Sequence, residues 1–378
     1  MTGLDEALIA KIKDNNKIMP SEVEKVLLIH DFPNFYIGDT CVRFAKLRAI
    51  SEFFPKARVD INCSDKEIPL LINNPFVQSV TSLQWDEIEF NHYDVLIYIS
   101  LLEMAKDEEF LSFIKARYIL ELPSLNFALF SLSRYLNPYQ GKPRETPIPM
   151  YLELGRFFTQ HHKTTPFISE LFISEEERKW GETWLRRNGL EEDENLIILL
   201  DSSNNKGKLL KLDVYFEVLT YLIGHNGTKV LIFDEKGMGK QEFYEEWLGF
   251  DTDQLIFAVK LSLRQALCIL SSSKLNMILG PCTGLLHCAS GIYYNSLKNN
   301  IVPNLPTLVT YIGNYDDDYN PWIWWQNSMV KCIMVVKNIQ GNKEIQQLKD
   351  ENFHNFLSCD EYSSDLLIDY LKPMLNIH

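Results

Sequence analysis

The chain has 378 residues, about two and a half times a typical ~150-residue domain, so a single small module is excluded and two cored domains are expected. Its 37 Lys plus Arg against 51 Asp plus Glu leave a net charge of −14, with 46% apolar and 12% aromatic residues, the balance of a packed globular chain. Such an acidic body has no basic face for phosphate backbones and no polybasic patch for anionic lipid, which excludes a general nucleic-acid binder and leaves at most peripheral membrane contact.

Residues 1–17 mix apolar and charged positions at helical spacing without an uninterrupted apolar run, so they read as a helix and not as a signal peptide. No stretch approaches the ~18 consecutive apolar residues of a membrane span. The run KVLLIH at 25–30 is almost wholly apolar, the mark of a parallel strand buried on both faces. A loop with Pro33 and Gly38 follows. Val42, Leu47, Ile50 and Phe53 then recur at near-helical spacing over 40–54, and strand character returns at 58–62, 77–80 and 95–99. This is the grammar of a parallel α/β sheet.

Loops at 102–110 and 127–142 are expected to face an acceptor. From about 145 to 192 the chain carries Pro, acidic runs and helix signals but no strand-like run. The alternation restarts at 195 with NLIILLD, a helix near 215–224, the strand KVLIFD at 229–234, a helix around Glu242, strands at 275–279 and 307–312, and a closing helix at 363–374. The expected division is an N-terminal Rossmann-like domain over 1–165, a connection over 166–192, a second Rossmann-like domain over 193–350 and a closing helix within 351–378. Two doubly wound α/β halves facing across a cleft would bind ligand outside the carboxyl ends of their strands. Seven cysteines scattered through apolar stretches without a CxxC read as reduced thiols, which places the protein in the cytoplasm.

Three places carry chemistry, each after a predicted strand. Phe35-Tyr36-Ile37-Gly38-Asp39 pairs a turn glycine with a carboxylate at or near a helix N-terminus, where Asp39 either caps the helix or takes a proton from an attacking hydroxyl. The turn Asp201 to Lys208 is hydroxyl-rich with lysines ahead of a helix, able to offer amides and a cation to phosphate; it lacks P-loop spacing, and a merely solvated loop remains open. Gly280-Pro281-Cys282-Thr283-Gly284-Leu285-Leu286-His287-Cys288 lets backbone approach a ligand and opens a helix near Thr283 whose free amides and dipole suit an anion. Cys282, His287 and Cys288 lack metal-site spacing, no orienting acid supports a Cys282 nucleophile, and His287 also fits as a packed helix histidine. The aromatic run at 311–325 either lines the cleft or covers the core, and core cover is the expectation.

Over 24–325 the order of these pieces resembles glycosyltransferase family 9, the ADP-heptose:lipopolysaccharide heptosyltransferases. KVLLIHDFPNFYIGDTCVRFAKLRAISEFFPKARVDINC is similar to that family's opening strand, Gly-Asp turn, helix and second strand; INNPFVQSV and YDVLIYI match its next two segments. IILLDSSNNKGK stands where the family has its Pro-Gly-Ala-Ser-like turn and lysine, and GPCTGLLHCAS where it has D-[ST]-G-x-x-H-x-A. The resemblance implies two Rossmann-like domains of the GT-B type, and inverting transfer of a heptose or related sugar from a nucleotide donor, ADP-linked and needing no cofactor or metal. It further implies a glycan or glycolipid acceptor such as lipopolysaccharide core, and action in the cytoplasm or at the inner face of a bacterial inner membrane.

Residue by residue, the resemblance implies Asp39 as general base with Gly38 in the acceptor-side turn. Thr283 and Gly284 amides would meet the donor diphosphate, with Ser202 adding a hydroxyl. Lys208 or, nearly as well aligned, Lys211 would neutralise it, and His287 would support the loop. Asp234 and Glu235 are candidates for the ribose. Cys282 stands where the family signature has Asp, the Trp-Pro after the lysine is replaced by KLLKLD, and 291–306 is longer than the family turn. These departures leave two readings open: a transferase with changed donor, or a catalytically silent binding subunit. A nucleotide-sugar epimerase on a similar scaffold is a third.

Overall fold

The structure, a computed structural model, describes residues 19–30, 36–100, 113, 126–131, 168–249, 253–301, 305–314, 321, 325, 327–349 and 356–375. The helix expected over 1–17, the Pro33 loop, the segments 102–110 and 132–142, the stretch 145–167 and most of the aromatic run at 315–324 lie outside the described residues. The chain separates into two compact units, Met1–Ser169 and Glu170–His378.

In the first unit, β1 (Lys25–His30), β2 (Arg58–Asn62), β3 (Ser79–Thr81), β4 (Val95–Ser100) and β5 (Asn126–Ser131) form an all-parallel sheet in the order β3-β2-β1-β4-β5. β1 is central, and its residues from Val26 to His30 are buried, which is why that strand reads as a continuous apolar run. The chain adds strands to one side of β1 and then to the other, so a switch point lies between β1 and β4. The single helix expected over 40–54 is two: α1 (Ile37–Phe44) and α2 (Leu47–Phe53). α1 closes tightly, with the Ala45 amide bonded to the Val42 carbonyl, and the turn buries the Lys46 side chain.

In the second unit, β6 (Asn195–Leu199), β7 (Thr228–Asp234), β8 (Leu255–Val259), β9 (Leu275–Pro281), β10 (Thr307–Ile312), β11 (Val330–Lys337) and β12 (Lys343–Gln347) are ordered β12-β11-β10-β9-β6-β7-β8. The first six follow the Rossmann order with all neighbours parallel, and β12 pairs antiparallel on β11. The polar Lys343, Glu344 and Gln346 suit that outer strand. Here the switch point lies between β6 and β9. β8, β11 and β12 were not expected from the sequence, and in the first unit β5 corrects the reading of 127–142 as a loop, since residues 127–131 are strand.

The helices of this unit are α3 (Glu175–Arg187), α4 (Leu212–Ile223), α5 (Lys240–Leu248), α6 (Leu263–Leu270), α7 (Gly284–Lys298) and α8 (Ser364–Leu371). One face of the sheet packs Ile232, Met277, Leu279 and Ile333 under Val218, Leu219 and Leu222 of α4 and Leu367 and Leu371 of α8. Each such buried side chain contributes ~1.5–3 kcal/mol before entropy is counted.

α3 starts at a Ser174–Glu177 capping box, has three glutamates in its first turn and two arginines in its last, and so complements its own dipole. It belongs to the second unit: a Cβ on Gly181 would sit 2.5 Å from the Cys268 carbonyl oxygen of α6. Arg264 of α6 reaches both Glu177 oxygens, at 2.7 and 2.6 Å. All seven cysteines are buried free thiols. No helix among the described residues is long and apolar enough to cross a membrane.

Candidate functional site

The second unit gathers its chemistry at the carboxyl ends of β6 and β9. Gly280 lets these strands close up, since a Cβ there would lie 2.5 Å from the Leu200 Cβ. β9 ends at Pro281; Cys282 follows, and Thr283 is the N-cap of α7 with extended backbone and no side-chain cap bond. The first intrahelical bond of α7 runs from the His287 amide to the Thr283 carbonyl at 3.2 Å, so the amides of 284–286 point out of the helix start. The positive end of a 15-residue dipole therefore opens at the switch point. The Thr283 Oγ1 atom is buried there without a hydrogen-bond partner, as is Trp325 Nε1.

His287, one turn into α7, stacks on Trp325 with ring centroids 4.1 Å apart at 10°, and its Nε2 is 4.0 Å from Cys282 Sγ. Burial first, and the Lys208 charge second, push its imidazole down to about 3, so the ring is neutral at physiological pH. A neutral ring stacked on Trp325 supplies no cation.

The turn after β6 is pinned by Asp201. Lys240 Nζ donates to its Oδ1 at 2.6 Å and to the Phe233 carbonyl at 2.7 Å. The Tyr244 hydroxyl donates to its Oδ2 at 2.7 Å and accepts from the Tyr215 hydroxyl at 2.9 Å. Beyond this anchor Ser202 is exposed, Asn205 Oδ1 accepts from the Gly207 amide at 2.9 Å, and Lys206–Lys208 forms one 3-10 turn. The two candidate lysines part company here. The charge of Lys208 acts on His287 and on Cys359. Lys211, at the start of α4, acts on Glu361, which pairs with Lys343 at 2.6 Å. Of the two, Lys208 is the one whose charge reaches a residue of α7.

Of the two acids at the end of β7, Asp234, its last residue, accepts from the Met238, Gly239 and Lys240 amides at 2.9, 3.2 and 3.2 Å and organises the turn into α5. Glu235 is left as the ribose candidate. Desolvation first raises its carboxyl above the usual range, with Lys240 opposing and Asp201 reinforcing. Among the described residues, no three or more His, Cys, Asp or Glu side chains are placed to hold a metal ion.

In the first unit Asp39 is not the N-cap. That place is taken by Tyr36, and Asp39 stands in the first turn of α1, half-buried, with the buried Gly38 before it. The same unit buries a set of titratable residues that sequence reading missed, His30, Arg43, Lys46 and Glu67, each no more than 3% exposed, and the Asp39 charge acts on Arg43. Glu67 is the node. Its Oε1 is 2.7 Å from His30 Nδ1 and accepts from Thr40 Oγ1 at 3.2 Å; its Oε2 accepts from the Ser64 amide and hydroxyl at 3.0 and 3.1 Å. Burial works to raise this carboxyl, but the His30 and Ser64 interactions hold it below the usual range. Arg43 was readable as the fourth residue after Asp39 on a helix; Glu67 comes from a loop after β2 and left no local signal.

No protein-family model matches the chain, and no curated protein matches it in sequence. Solved structures do match. E. coli ADP-heptose lipopolysaccharide heptosyltransferase II is 16% identical, over 93% of this chain and 98% of that one, with a TM-score of 0.59. A family 9 glycosyltransferase from Veillonella parvula is 15% identical over 95% and 98%, with a TM-score of 0.60. E. coli heptosyltransferase WaaC with ADP is 13% identical over 93% and 99%, with a TM-score of 0.52. At these identities the likeness speaks to architecture, and the chain has the GT-B glycosyltransferase fold of two Rossmann-like units.

Proposed function

We propose that the chain is an inverting glycosyltransferase that moves a heptose or related sugar from a nucleotide-activated donor, ADP-linked, to a hydroxyl of a bacterial surface glycan such as lipopolysaccharide core. One observation carries this reading: the uncapped start of α7 opens at the β6–β9 switch point, and the Lys208 charge acts on His287 one turn into that helix. The fold shared with heptosyltransferases supports it.

In this reading the acceptor hydroxyl oxygen attacks the anomeric carbon and its proton passes to the Asp39 carboxylate. The bond from that carbon to the diphosphate breaks with its electron pair staying on the bridging oxygen. Amides of Thr283 and Gly284, the Ser202 hydroxyl and the Lys208 ammonium meet the growing negative charge, and Glu235 holds the ribose. The charge is met by these groups and not by a metal ion. Preorganised donors of this kind are typically worth ~3–4 kcal/mol of barrier each. Cys282 replaces the signature carboxylate beside the diphosphate, which removes one negative charge from that position; this reading takes the change as an adjustment of donor contact. The protein acts in the cytoplasm, on an acceptor presented at the inner face of the membrane.

The test is acceptor-dependent release of nucleoside diphosphate from ADP-heptose and other nucleotide sugars with a panel of glycan acceptors. Turnover with at least one pair is expected. Absence of both turnover and nucleotide binding across the panel contradicts the proposal.

A further inference from the structure

Resting on the assignment of Asp39 as base, we propose that Arg43 is a positioning residue that fixes the Asp39 carboxylate ionised and oriented toward the acceptor, and that Glu67 in turn fixes Arg43. Asp39 and Arg43 are four residues apart on α1, which places them one above the other on the same face. Arg43 is 3% exposed, so its guanidinium has little freedom to leave that face. The charges of Asp39 and Glu67 both act on it; burial pushes the guanidinium down to about 10, and the two carboxylates oppose that fall. A planar fork can meet two carboxylates in two directions at once, which a point charge cannot, and Thr40, which lies between Asp39 and Arg43 on α1, itself reaches Glu67 at 3.2 Å.

Glu67 is suited to be the fixed end. Four donors from three places hold it: His30 at the end of β1, Thr40 on α1 itself, and the amide and hydroxyl of Ser64 after β2. Thr40 directly follows Asp39, so the node also ties down the first turn of α1. His30 is itself wedged against Phe44 at the other end of the helix, ring centroids 5.0 Å apart.

The titratable groups facing Arg43 among the described residues are Asp39 from α1, Lys46 from the turn into α2, and Glu67 from the loop after β2. Glu67 further faces His30 from β1 and Cys63 from beyond β2. Lys46 is buried beside Arg43, and burial first, then that neighbouring cation, push its ammonium down to about 7. It therefore adds at most a partial charge near neutrality, and Arg43 is the constant cation of the set.

The experiment compares R43Q, which keeps the side chain's bulk and removes the charge, with R43K, which keeps the charge and removes the fork. In R43Q the acidic limb of the kcat/KM profile is expected to move up by about one pH unit or more, the effect of removing an opposite charge within reach of a carboxylate. In R43K the limb is expected to stay while kcat falls ~10-fold at unchanged acceptor KM, since the carboxylate is ionised but misaimed. The 13C carboxyl signal of Asp39, recognised by its loss in D39N, gives a readout free of turnover: its titration midpoint is expected to rise with R43Q and not with R43K. A merely structural Arg43 would lower rates uniformly across pH with limb and midpoint unmoved, and that result overturns the proposal. Should R43Q fail to fold, R43K decides alone: wild-type kcat overturns the proposal and the kcat-only loss supports it. D39N separates the two failures. Wild-type turnover in D39N removes the base assignment itself, whereas an inactive D39N with an unmoved R43Q limb and midpoint overturns only the role of Arg43.

Discussion

Replacing His287 with Asn should flatten the dependence of stability on pH. The imidazole is 7% exposed and held at about 3 by burial and then by Lys208, against an ordinary value of 6.5. The folded-state value lies below the unfolded one, so the unfolded chain takes up a proton that the folded chain refuses. Stability is complete above pH 6.5 and is lost progressively as pH falls toward 3. Integrating the proton difference between pH 7.5 and pH 5.0 with those two values gives ~2 kcal/mol lost through this one ring. Urea unfolding of wild type and H287N at the two pH values isolates the term, because the other titrating groups are shared and cancel in the double difference. The wild type should lose ~2 kcal/mol more than H287N on acidification. Equal losses, within ~0.5 kcal/mol, would mean that the ring is protonated in the folded state or solvated, and the assignment of the diphosphate cation to Lys208 alone would lose its basis.

The same geometry sets three further outcomes. K208M should lower kcat/KM ~100- to 1,000-fold while K211M, whose charge acts on Glu361, leaves it near wild type; steady-state kinetics of the two read the difference. T283V replaces a buried hydroxyl that has no partner, so in chemical unfolding the ligand-free protein should gain ~1 kcal/mol, while calorimetry should show weaker nucleoside diphosphate binding. G280A drives a methyl to 2.5 Å from the Leu200 Cβ and should cost ~1–3 kcal/mol in chemical unfolding; full stability in G280A would mean the β6–β9 approach is looser than described.

Sequence reading found what depends on local pattern. The buried parallel strands announced themselves as apolar runs, and the start of α7 as a small-residue turn with Thr283 just ahead of a helical stretch. The break between α1 and α2 stayed hidden because Ala45 and Lys46 are both good helix formers, and the interruption shows only as a tightened last turn. β11 carries as clear an apolar run as β1, VKCIMVVK, and was overlooked for its place after the aromatic segment.

At the site, reading was good along one element and poor between elements. Lys208 and Lys211 are three residues apart, and only the fold separates the one whose charge acts on His287 from the one whose charge acts on Glu361. Asp234 and Glu235 looked alike as ribose candidates until three amides from the next turn claimed Asp234. Glu67 meets Thr40 and His30 across long stretches of chain, and Trp325 meets His287 in the same way, so no spacing rule could have joined them.

The most direct measurement of the central claim is nucleoside diphosphate release from an ADP-linked heptose, with and without a glycan acceptor, in wild type and D39N, with nucleotide binding by both proteins measured alongside. The account predicts acceptor-dependent release by wild type, a fall of ~100- to 10,000-fold in D39N, and undiminished nucleotide binding by D39N. Equal release by the two proteins, or no nucleotide binding by either, would contradict it.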